Sequence, residues 1–276
     1  MAYPDRYGVM GYPVAHSRSP VIHKLFALQT GQNMSYELFK VPPAKLESAV
    51  QHFGRTGGKG LNITVPHKSE VVRLVDELSE RASNAGAVNT LIFREDGIYG
   101  DNTDGVGLMR DLQRNLGLKL KDANILILGA GGATRGIVGP LLDAKPTSVL
   151  IANRTFPKAK ALAEHFSADG PVTACRFQDV DTLPVFDLVI NATSAGLKGE
   201  APPYPEKAVH PVTVCYDLSY ALKPTPFMSW SIEHGAARSV MGWGMLVEQA
   251  AESFYIWRGV MPDTAPVLKQ LVVNPA

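Results

Sequence analysis

The chain has 276 residues, 45% of them hydrophobic, and its 27 Lys and Arg side chains are balanced by 26 Asp and Glu. Because no surplus of positive charge is available to neutralise a polyanion, we expect no nucleic-acid partner. No apolar run is long enough to span a membrane, and the N-terminus does not resemble a secretory signal, so we expect no membrane partner and a cytoplasmic location. This length and hydrophobic content favour two domains.

The cysteines and histidines argue against a metal centre. Cys175 and Cys215 are far apart and lie in strand-like contexts, which predicts reduced core thiols. The seven histidines form no helical pair four residues apart and do not cluster with the cysteines, so no metal site is predicted.

The first hundred residues alternate extended and helical patterns, which predicts an α/β domain. Extended runs are predicted at Tyr7 to Gly11, Ser35 to Val41, Lys59 to Thr64 and Ala87 to Phe93. Helices are predicted from Pro20 to Gly31, from about Pro42 to Gly54, and after Asp104, with a hairpin turn at Glu95 to Gly97.

A glycine-rich segment follows the predicted strand Ile125 to Leu128. The segment consists of Gly129, Ala130, Gly131, Gly132, Ala133 and Thr134. Small residues between a strand and a helix let the backbone approach a pyrophosphate, which predicts a dinucleotide site. Thr134 stands where the usual third glycine would be, so an ordinary glycine-rich turn of an α/β protein remains the alternative.

The next predicted strand, Val149 to Ala152, ends in Asn153, Arg154 and Thr155. NAD enzymes place a carboxylate near this point, whereas Arg154 offers a permanent positive charge suited to a phosphate. The pattern therefore favours NADP, with a solvated surface arginine as the alternative. Strands predicted at Val172 to Cys175, Leu188 to Asn191 and Val212 to Asp217 complete a doubly wound, Rossmann-type sheet.

Polar residues collect at the predicted strand ends of the first domain. They are Ser17, Ser19, Asn62, Thr64, Lys68, Asn89 and Asp104. Each has a structural alternative: the serines and Asp104 as helix caps, the asparagines as turn formers, and Lys68 as a solvated lysine. Hydride chemistry at an alcohol needs a proton donor or acceptor beside the reacting oxygen, and Lys68 with Asp104 would supply one.

Taken in order, these motifs resemble those of the shikimate dehydrogenase family over nearly the whole chain. The matching segments are Gly11 to Pro20, Gly60 to Lys68, Ala87 to Thr90, Asn102 to Gly107, Gly129 to Gly136, Asn153 to Thr155, Asn191 to Gly196 and Gly242 to Gln249. The resemblance implies an NADP-dependent oxidoreductase that reduces 3-dehydroshikimate to shikimate in aromatic amino-acid biosynthesis. It also implies a substrate domain of residues 1–104 and 240–276, with a Rossmann-type NADP domain of residues 105–239 inserted between them.

The resemblance also implies individual roles on the substrate side. Ser17, Ser19 and Tyr220 would bind the substrate carboxylate. Ring hydroxyls would be held by Thr64, Asn89, Asp104 and Gln249, with Asn62 supporting them. Lys68 and Asp104 would flank the reacting oxygen, and the proton could belong to the lysine or to the coupled pair.

On the cofactor side, the resemblance assigns the pyrophosphate to residues Gly129 to Ala133. The adenosine 2′-phosphate would meet Asn153, Arg154, Thr155 and Lys158. The nicotinamide end would meet Thr193, Leu218, Gly242 and Met245. At Leu218, Ser219 and Trp243 the chain departs from the residues usual in the family, which affects the nicotinamide contacts more than the catalytic pair.

Two alternatives remain open from the sequence. A quinate/shikimate dehydrogenase using NAD or NADP is one, although Arg154 and the serine pair favour the narrower enzyme. A non-catalytic NADPH-binding regulator is the other, although it would not need Lys68 and Asp104. Monomer and homodimer are both compatible with the sequence.

Overall fold

The computed structural model describes residues 3–182, 185–193 and 204–273, which form two compact α/β units. One unit holds the described residues up to Leu108 and those from Leu246 onward, and the other runs from Met109 to Met245. Each unit has its own six-stranded sheet and its own buried apolar cluster. The predicted α/β class with a doubly wound second sheet is confirmed.

The first unit alternates strands and helices. Its strands are β1 (Asp5–Gly11), β2 (Met34–Lys40), β3 (Gly58–Ile63), β4 (Glu77–Leu78), β5 (Thr90–Arg94) and β6 (Gly97–Asp101). Its helices are α1 (Ser19–Thr30), α2 (Leu46–Arg55), α3 (Glu80–Ala85), the beginning of α4 (Asp104–Arg110), most of α8 (Trp243–Arg258), and α9 (Thr264–Val273).

The sheet of the first unit has the order β2-β1-β3-β5-β6-β4. The pairs of β1 with β2 and β3 are parallel, whereas β3, β5 and β6 pair antiparallel. This pairing places Asn62, near the end of β3, directly opposite Thr90 at the start of β5. Thr90 in turn lies opposite Asp101 at the end of β6. The polar ends of β3, β5 and β6 therefore lie side by side in the sheet.

The second unit is a parallel sheet covered by helices. Its strands are β7 (Asn124–Leu128), β8 (Ser148–Ala152), β9 (Val172–Cys175), β10 (Leu188–Asn191), β11 (Val214–Asp217) and β12 (Arg238–Met241). Its helices include α5 (Gly132–Asp143), α6 (Phe156–His165) and α7 (Pro226–Glu233). The strand order is β12-β11-β10-β7-β8-β9, so the chain adds strands on one side of β7 first and on the other side from β10 onward. In parallel sheets, ligands bind at the carboxyl ends of the strands where the order changes side in this way.

Several element boundaries differ from the sequence prediction. β5 begins at Thr90 rather than Ala87, although the Asn89 backbone still bonds to Ile63 N and Asp101 O on the neighbouring strands. β11 begins at Val214 rather than Val212. β12 was not predicted, and its pairing with β11 places Arg238–Met241 in the second sheet. The predicted helix after Asp104 continues past α4 as a π-helical turn, Asp111–Asn115.

Both cysteines lie in the second unit and neither forms a disulfide. Burial raises the pKa of Cys175 to about 11 and that of Cys215 to about 12, so both remain protonated at neutral pH. Across the described ranges, none of the helices is both long and apolar enough to cross a lipid bilayer.

Candidate active site

A buried ion pair stands at the centre of the first unit's polar edge. Lys68 follows β3 on a loop, and its Nζ donates a hydrogen bond to Asp104 Oδ2 at 2.5 Å. The lysine side chain is 14% exposed and that of Asp104 is 5% exposed, so the lysine can be reached from solvent while the carboxylate is covered. The short distance and low exposure identify a charge-assisted hydrogen bond rather than a solvated lysine.

Asn89 connects this pair to the rest of the site. Its Nδ2 donates to the second carboxylate oxygen, Asp104 Oδ1, at 2.9 Å. Its Oδ1 accepts hydrogen bonds from the Thr90 hydroxyl at 2.8 Å and the Thr103 backbone N–H at 2.9 Å. Asn89 is therefore part of a buried network rather than a turn former.

Asn62 is held in the same network from the neighbouring strand. Its Oδ1 accepts a hydrogen bond from the Tyr36 hydroxyl at 2.7 Å. Its Nδ2 donates to Thr90 Oγ1 at 3.2 Å and Ser253 Oγ at 3.1 Å. These contacts hold Asn62 beside Thr90 and Ser253 in the buried network.

The serines at the start of α1 contact each other, and Ser17 Oγ also accepts the backbone N–H of Ser19 at 3.3 Å. Ser17 Oγ donates to Ser19 Oγ at 3.2 Å, and the N-cap position is Arg18, with no side-chain cap. Thr64 directly follows β3 and is half-buried, with its backbone N–H bonded to Met10 O at 3.0 Å. These three hydroxyl groups belong to the same unit as Lys68 and Asp104.

Gln249 on α8 belongs to the network, which ties the C-terminal segment to the first domain's site. Its Oε1 accepts long hydrogen bonds of 3.4 Å from Asn89 Nδ2 and from Thr103 Oγ1. Its Nε2 donates to Leu246 O at 2.8 Å. The interaction supports the predicted return of the chain to the first domain.

A second ion-pair network supports the segment that carries Asp104. Arg81 on α3 donates to Asp101 at 2.6 and 2.8 Å and to Glu252 of α8 at 3.1 Å. Burial acts to raise the pKa of Asp101, but hydrogen bonds from Arg81 and Ser79 outweigh it and hold this pKa below its ordinary value of 3.8. Asp101 remains ionised and anchors the chain just before Asp104.

The glycine segment of the second unit connects β7 to α5, as expected. Gly129 has φ +112°, and a Cβ there would lie 2.9 Å from Ala192 O, so the position requires glycine. Gly131 is exposed and extended, and a Cβ there would meet no protein atom within 4 Å. The backbone at Gly131 and the first N–H groups of α5 are thus left open, as a pyrophosphate would require.

Thr134 takes the place of the third glycine of the usual pattern. It is fully buried, and its Oγ1 donates to Gly129 O at 3.0 Å across the turn. The Thr134 hydroxyl thus bonds the end of the glycine segment to its beginning. The departure at Thr134 is compatible with a dinucleotide loop.

The predicted 2′-phosphate group lies after β8. Arg154, Thr155 and Lys158 are exposed, and Asn153 is half-buried with its Nδ2 bonded to Thr155 O at 2.9 Å. Among the described residues, Arg154 makes neither an ion pair nor a hydrogen bond through its guanidinium. An exposed cation at the carboxyl end of β8 fits an incoming phosphate.

The carboxyl ends of β10 and β11 form the other half of the second unit's site. Thr193 N and Oγ1 donate to Asn191 Oδ1 at 3.2 and 2.7 Å, and Asn191 Nδ2 donates to Asp217 Oδ1 at 3.0 Å. Burial raises the pKa of Asp217, while the hydrogen bond from Thr225 acts in the opposite direction. The remainder of the predicted motif, 194–196, lies outside the described residues.

Close backbone packing explains Gly242, since a Cβ there would lie 2.8 Å from Leu218 O. The Leu218 N–H donates to Asn191 O at 2.9 Å, so Leu218 also lies at this end of the sheet. Met245 is buried, and its N–H lies 3.4 Å from the Tyr216 hydroxyl. Tyr220 packs on Trp243 with ring centroids 4.9 Å apart, and it is the only predicted substrate residue in the second unit.

Sequence reasoning missed the hydroxyl groups behind the pair. Thr90, Thr103 and Ser253 are fully buried, and their oxygens lie within 3.2 Å of one another in the pairs Thr90–Ser253 and Thr103–Ser253. Thr90 and Thr103 were adjacent to predicted residues, which is a usable signal. Ser253 had none, because its contacts with Asn62, Thr90 and Thr103 each cross at least 150 positions of the chain.

Three family models match consecutive parts of the chain. A shikimate dehydrogenase substrate-binding domain matches residues 9–91, a shikimate/quinate 5-dehydrogenase model matches residues 111–198, and a shikimate 5′-dehydrogenase C-terminal domain matches residues 242–272. The three matches cover both units and the returning segment.

Individual proteins agree along the full length. The NADP(+) shikimate dehydrogenase of Methylococcus capsulatus is 54% identical over 98% of this chain and 97% of its own. The Ael1 enzyme of Pseudomonas putida superposes with a TM-score of 0.89 at 42% identity, covering 99% of this chain and all of that one. A Thermus thermophilus shikimate 5-dehydrogenase, solved with NADP(H) and shikimate, has a TM-score of 0.85 at 32% identity and 96% and 97% coverage.

Proposed function

Because the chain belongs to the shikimate dehydrogenase family, we propose that it reduces 3-dehydroshikimate reversibly to shikimate with NADPH. The observation that carries this proposal is the covered Lys68–Asp104 pair, 2.5 Å apart and bonded to Asn89. A binding protein without catalysis would have no need of a charged pair suited to proton transfer. The reaction is an oxidoreduction at a CH–OH group.

Lys68 and Asp104 handle the proton of this reaction. NADPH, when bound, would supply the hydride for the carbonyl carbon. The oxygen then needs a proton, and Lys68 Nζ–H donates it. In the reverse direction the same amine accepts the hydroxyl proton, and the bond to Asp104 keeps the amine oriented.

We assign the remaining first-unit residues to the substrate. The hydroxyls of Ser17 and Ser19 donate to its carboxylate, which neutral donors can bind while leaving the charge of Lys68 for the reacting oxygen. Thr64, Asn89 and Gln249 bind the ring hydroxyls together with Asp104, and Asn62 supports Asn89. Tyr220 is proposed as a further carboxylate ligand.

The second unit is proposed as the NADP domain. The backbone of Gly129, Ala130, Gly131, Gly132 and Ala133 would hold the pyrophosphate, and the open space at Gly131 supports this assignment. Arg154 would bind the 2′-phosphate with Asn153, Thr155 and Lys158. The nicotinamide would meet Thr193, Leu218, Gly242 and Met245.

The sequence predicts a substrate domain of residues 1–104 and 240–276 around a cofactor domain of residues 105–239. Because Val240 and Met241 pair with β11 in the second sheet, we propose that the chain returns to the substrate domain after Met245. A cytoplasmic location is proposed as well, in keeping with two unpaired thiols. Monomer and homodimer are both proposed states, which sedimentation velocity would distinguish.

A steady-state assay tests the function. We expect reduction of NADP at 340 nm with shikimate, weak reduction with quinate or NAD, and loss of the signal in Lys68→Ala. Efficient use of quinate or NAD would instead identify the broader quinate/shikimate enzyme. NADPH binding without turnover on any of these substrates would identify a regulator and overturn the proposal.

A further inference from the structure

We propose that Thr90 is a positioning residue whose hydroxyl sets the amide orientation of Asn89 and, through it, the carboxylate of Asp104. This inference rests on the proposed function and deepens it. Thr90 is fully buried at the start of β5 and touches neither Lys68 nor Asp104 through any hydrogen bond of the described residues.

The orientation of Asn89 matters because its two amide ends are chemically opposite. In the observed orientation, Nδ2 donates to Asp104 Oδ1 at 2.9 Å, which leaves Asp104 Oδ2 for Lys68. A flipped amide would place its oxygen against the Asp104 carboxylate and its N–H groups against the Thr103 backbone N–H. The hydrogen-bond donors that face Asn89 Oδ1 therefore fix the orientation of its amide, and with it which Asp104 oxygen is left for Lys68.

Thr90 is one of the two residues that supply those donors. Its Oγ1 lies 2.8 Å from Asn89 Oδ1 as donor. The same oxygen accepts from Asn62 Nδ2 at 3.2 Å, and Asn62 is fixed by the Tyr36 hydroxyl at 2.7 Å. The hydrogen bonds thus run in one direction, from Tyr36 through Asn62, Thr90 and Asn89 to Asp104, and polarise one another in a buried setting.

Pairing within the sheet fixes the position of the Thr90 hydroxyl. Thr90 is the direct antiparallel partner of Asn62 on β3 and of Asp101 on β6, so its backbone is held on both sides. Ser253 of α8 lies 2.8 Å from the Thr90 hydroxyl and covers it. A residue without a hydroxyl at position 90 would keep the strand but leave Asn89 one donor short.

A pair of nearly isosteric variants tests the proposal. Thr90→Val removes the hydroxyl and Thr90→Ser keeps it. For shikimate oxidation, we expect kcat to fall about 3- to 10-fold in Thr90→Val, the range for one lost hydrogen bond. We expect recovery to within about 2-fold in Thr90→Ser and an unchanged KM for NADP in both variants.

Thr213→Val is the matched control for losing a buried threonine hydroxyl. Thr213 is fully buried in the second unit, and its hydroxyl donates to Phe186 O at 2.7 Å, away from the proposed machinery. We expect it to lower Tm while leaving kcat unchanged. A Thr90→Val enzyme with wild-type kcat, or a loss that Thr90→Ser does not recover, would overturn the positioning role.

If Thr90→Val does not fold, Thr90→Cys decides the matter, because a thiol is a weaker donor of similar size. An intermediate kcat supports the proposal, and a wild-type kcat overturns it. If the wild-type protein turns over shikimate and the Thr90 variants have the same kcat, the positioning role is wrong and the proposed function stands. Absence of turnover in the wild-type protein would defeat the proposed function and the inference with it.

Discussion

The polar site of the first unit and the glycine loop of the second are built in opposite ways. Around Asp104, side chains from β3, β5, the segment before α4, and α8 bond to one another. Around Gly129, the important feature is the missing side chain, because a Cβ would collide with Ala192 O. One site depends on side chains that are present and the other on side chains that are absent.

This difference determines which substitutions are informative. In the first unit, removing a polar group at constant size tests a role, because the neighbours lose a partner and little packing. In the glycine loop of the second unit, adding a methyl group tests a role, because the backbone itself is proposed to contact the nucleotide. Substitutions of Lys68 and Arg154 distinguish the two sites, because the first is expected to lower turnover and the second to weaken NADP binding.

The largest effect is expected for Lys68→Ala. Loss of a general acid–base group costs about 10²- to 10⁴-fold in rate. We expect kcat for shikimate to fall by this amount while the Kd for NADPH, measured by fluorescence, stays unchanged. An unaltered turnover would remove Lys68 from the mechanism and leave the first unit's pair with a structural role.

Arg154→Ala should give the complementary result. A charged hydrogen bond to the 2′-phosphate is worth about 1.5–3 kcal/mol, so we expect NADP to bind roughly 10- to 150-fold more weakly. NAD lacks this phosphate, and its binding should not change. Isothermal titration with both nucleotides measures the difference, and an equal loss for NAD would refute the role of Arg154.

Substitutions at Gly129 and Gly131 are predicted to separate folding from binding. Gly129→Ala places a side chain at φ +112° against Ala192 O, so we expect a loss of about 1–3 kcal/mol in the free energy of unfolding. Gly131→Ala meets no protein atom and should leave that free energy unchanged while weakening NADP binding. Denaturant unfolding and nucleotide titration are the two measurements. Equal destabilisation by both variants would contradict this distinction.

The fold was more predictable than the connections within the site. Parallel strands of the second sheet are apolar runs that end in polar residues, so β7, β8 and β10 were recognisable within one residue. The two-residue β4 and the exposed start of β12 have no such pattern. Local sequence carries periodicity, and short edge strands have too few residues to show any.

The site residues were recognised singly, but their connections were not. Lys68, Asn89 and Asp104 were predicted because their types suit proton transfer. That the Thr90 and Ser253 hydroxyls bond to each other beside these residues could not be predicted, since the two lie 163 positions apart and meet only through the packing of α8. The direction of a hydrogen bond depends on which donors and acceptors meet in the folded structure, and the local sequence carries no signal for this.

His23 is a buried side chain of the first unit that lies outside this network. It is fully buried and stacked on Tyr36 with ring centroids 4.2 Å apart, and neither ring nitrogen has a hydrogen-bond partner. Burial lowers its pKa from 6.5 to about 3, with the nearby Asn62 side chain opposing the shift. The folded protein therefore keeps His23 neutral under conditions in which the unfolded chain would protonate it.

The smallest predicted effect follows from this depressed pKa. Between about 6.5 and 3 the unfolded state binds the extra proton, so stability falls as the pH is lowered through this window and is constant in this respect above it. We expect His23 to contribute a loss of about 1 kcal/mol between pH 6.5 and 5.5, and His23→Phe to remove it. Urea unfolding at both pH values gives the difference within each variant, so any packing cost of the phenylalanine cancels. In the control His52→Phe, which removes an exposed histidine, the wild-type pH dependence should persist; an unchanged dependence in His23→Phe would show that other groups produce it.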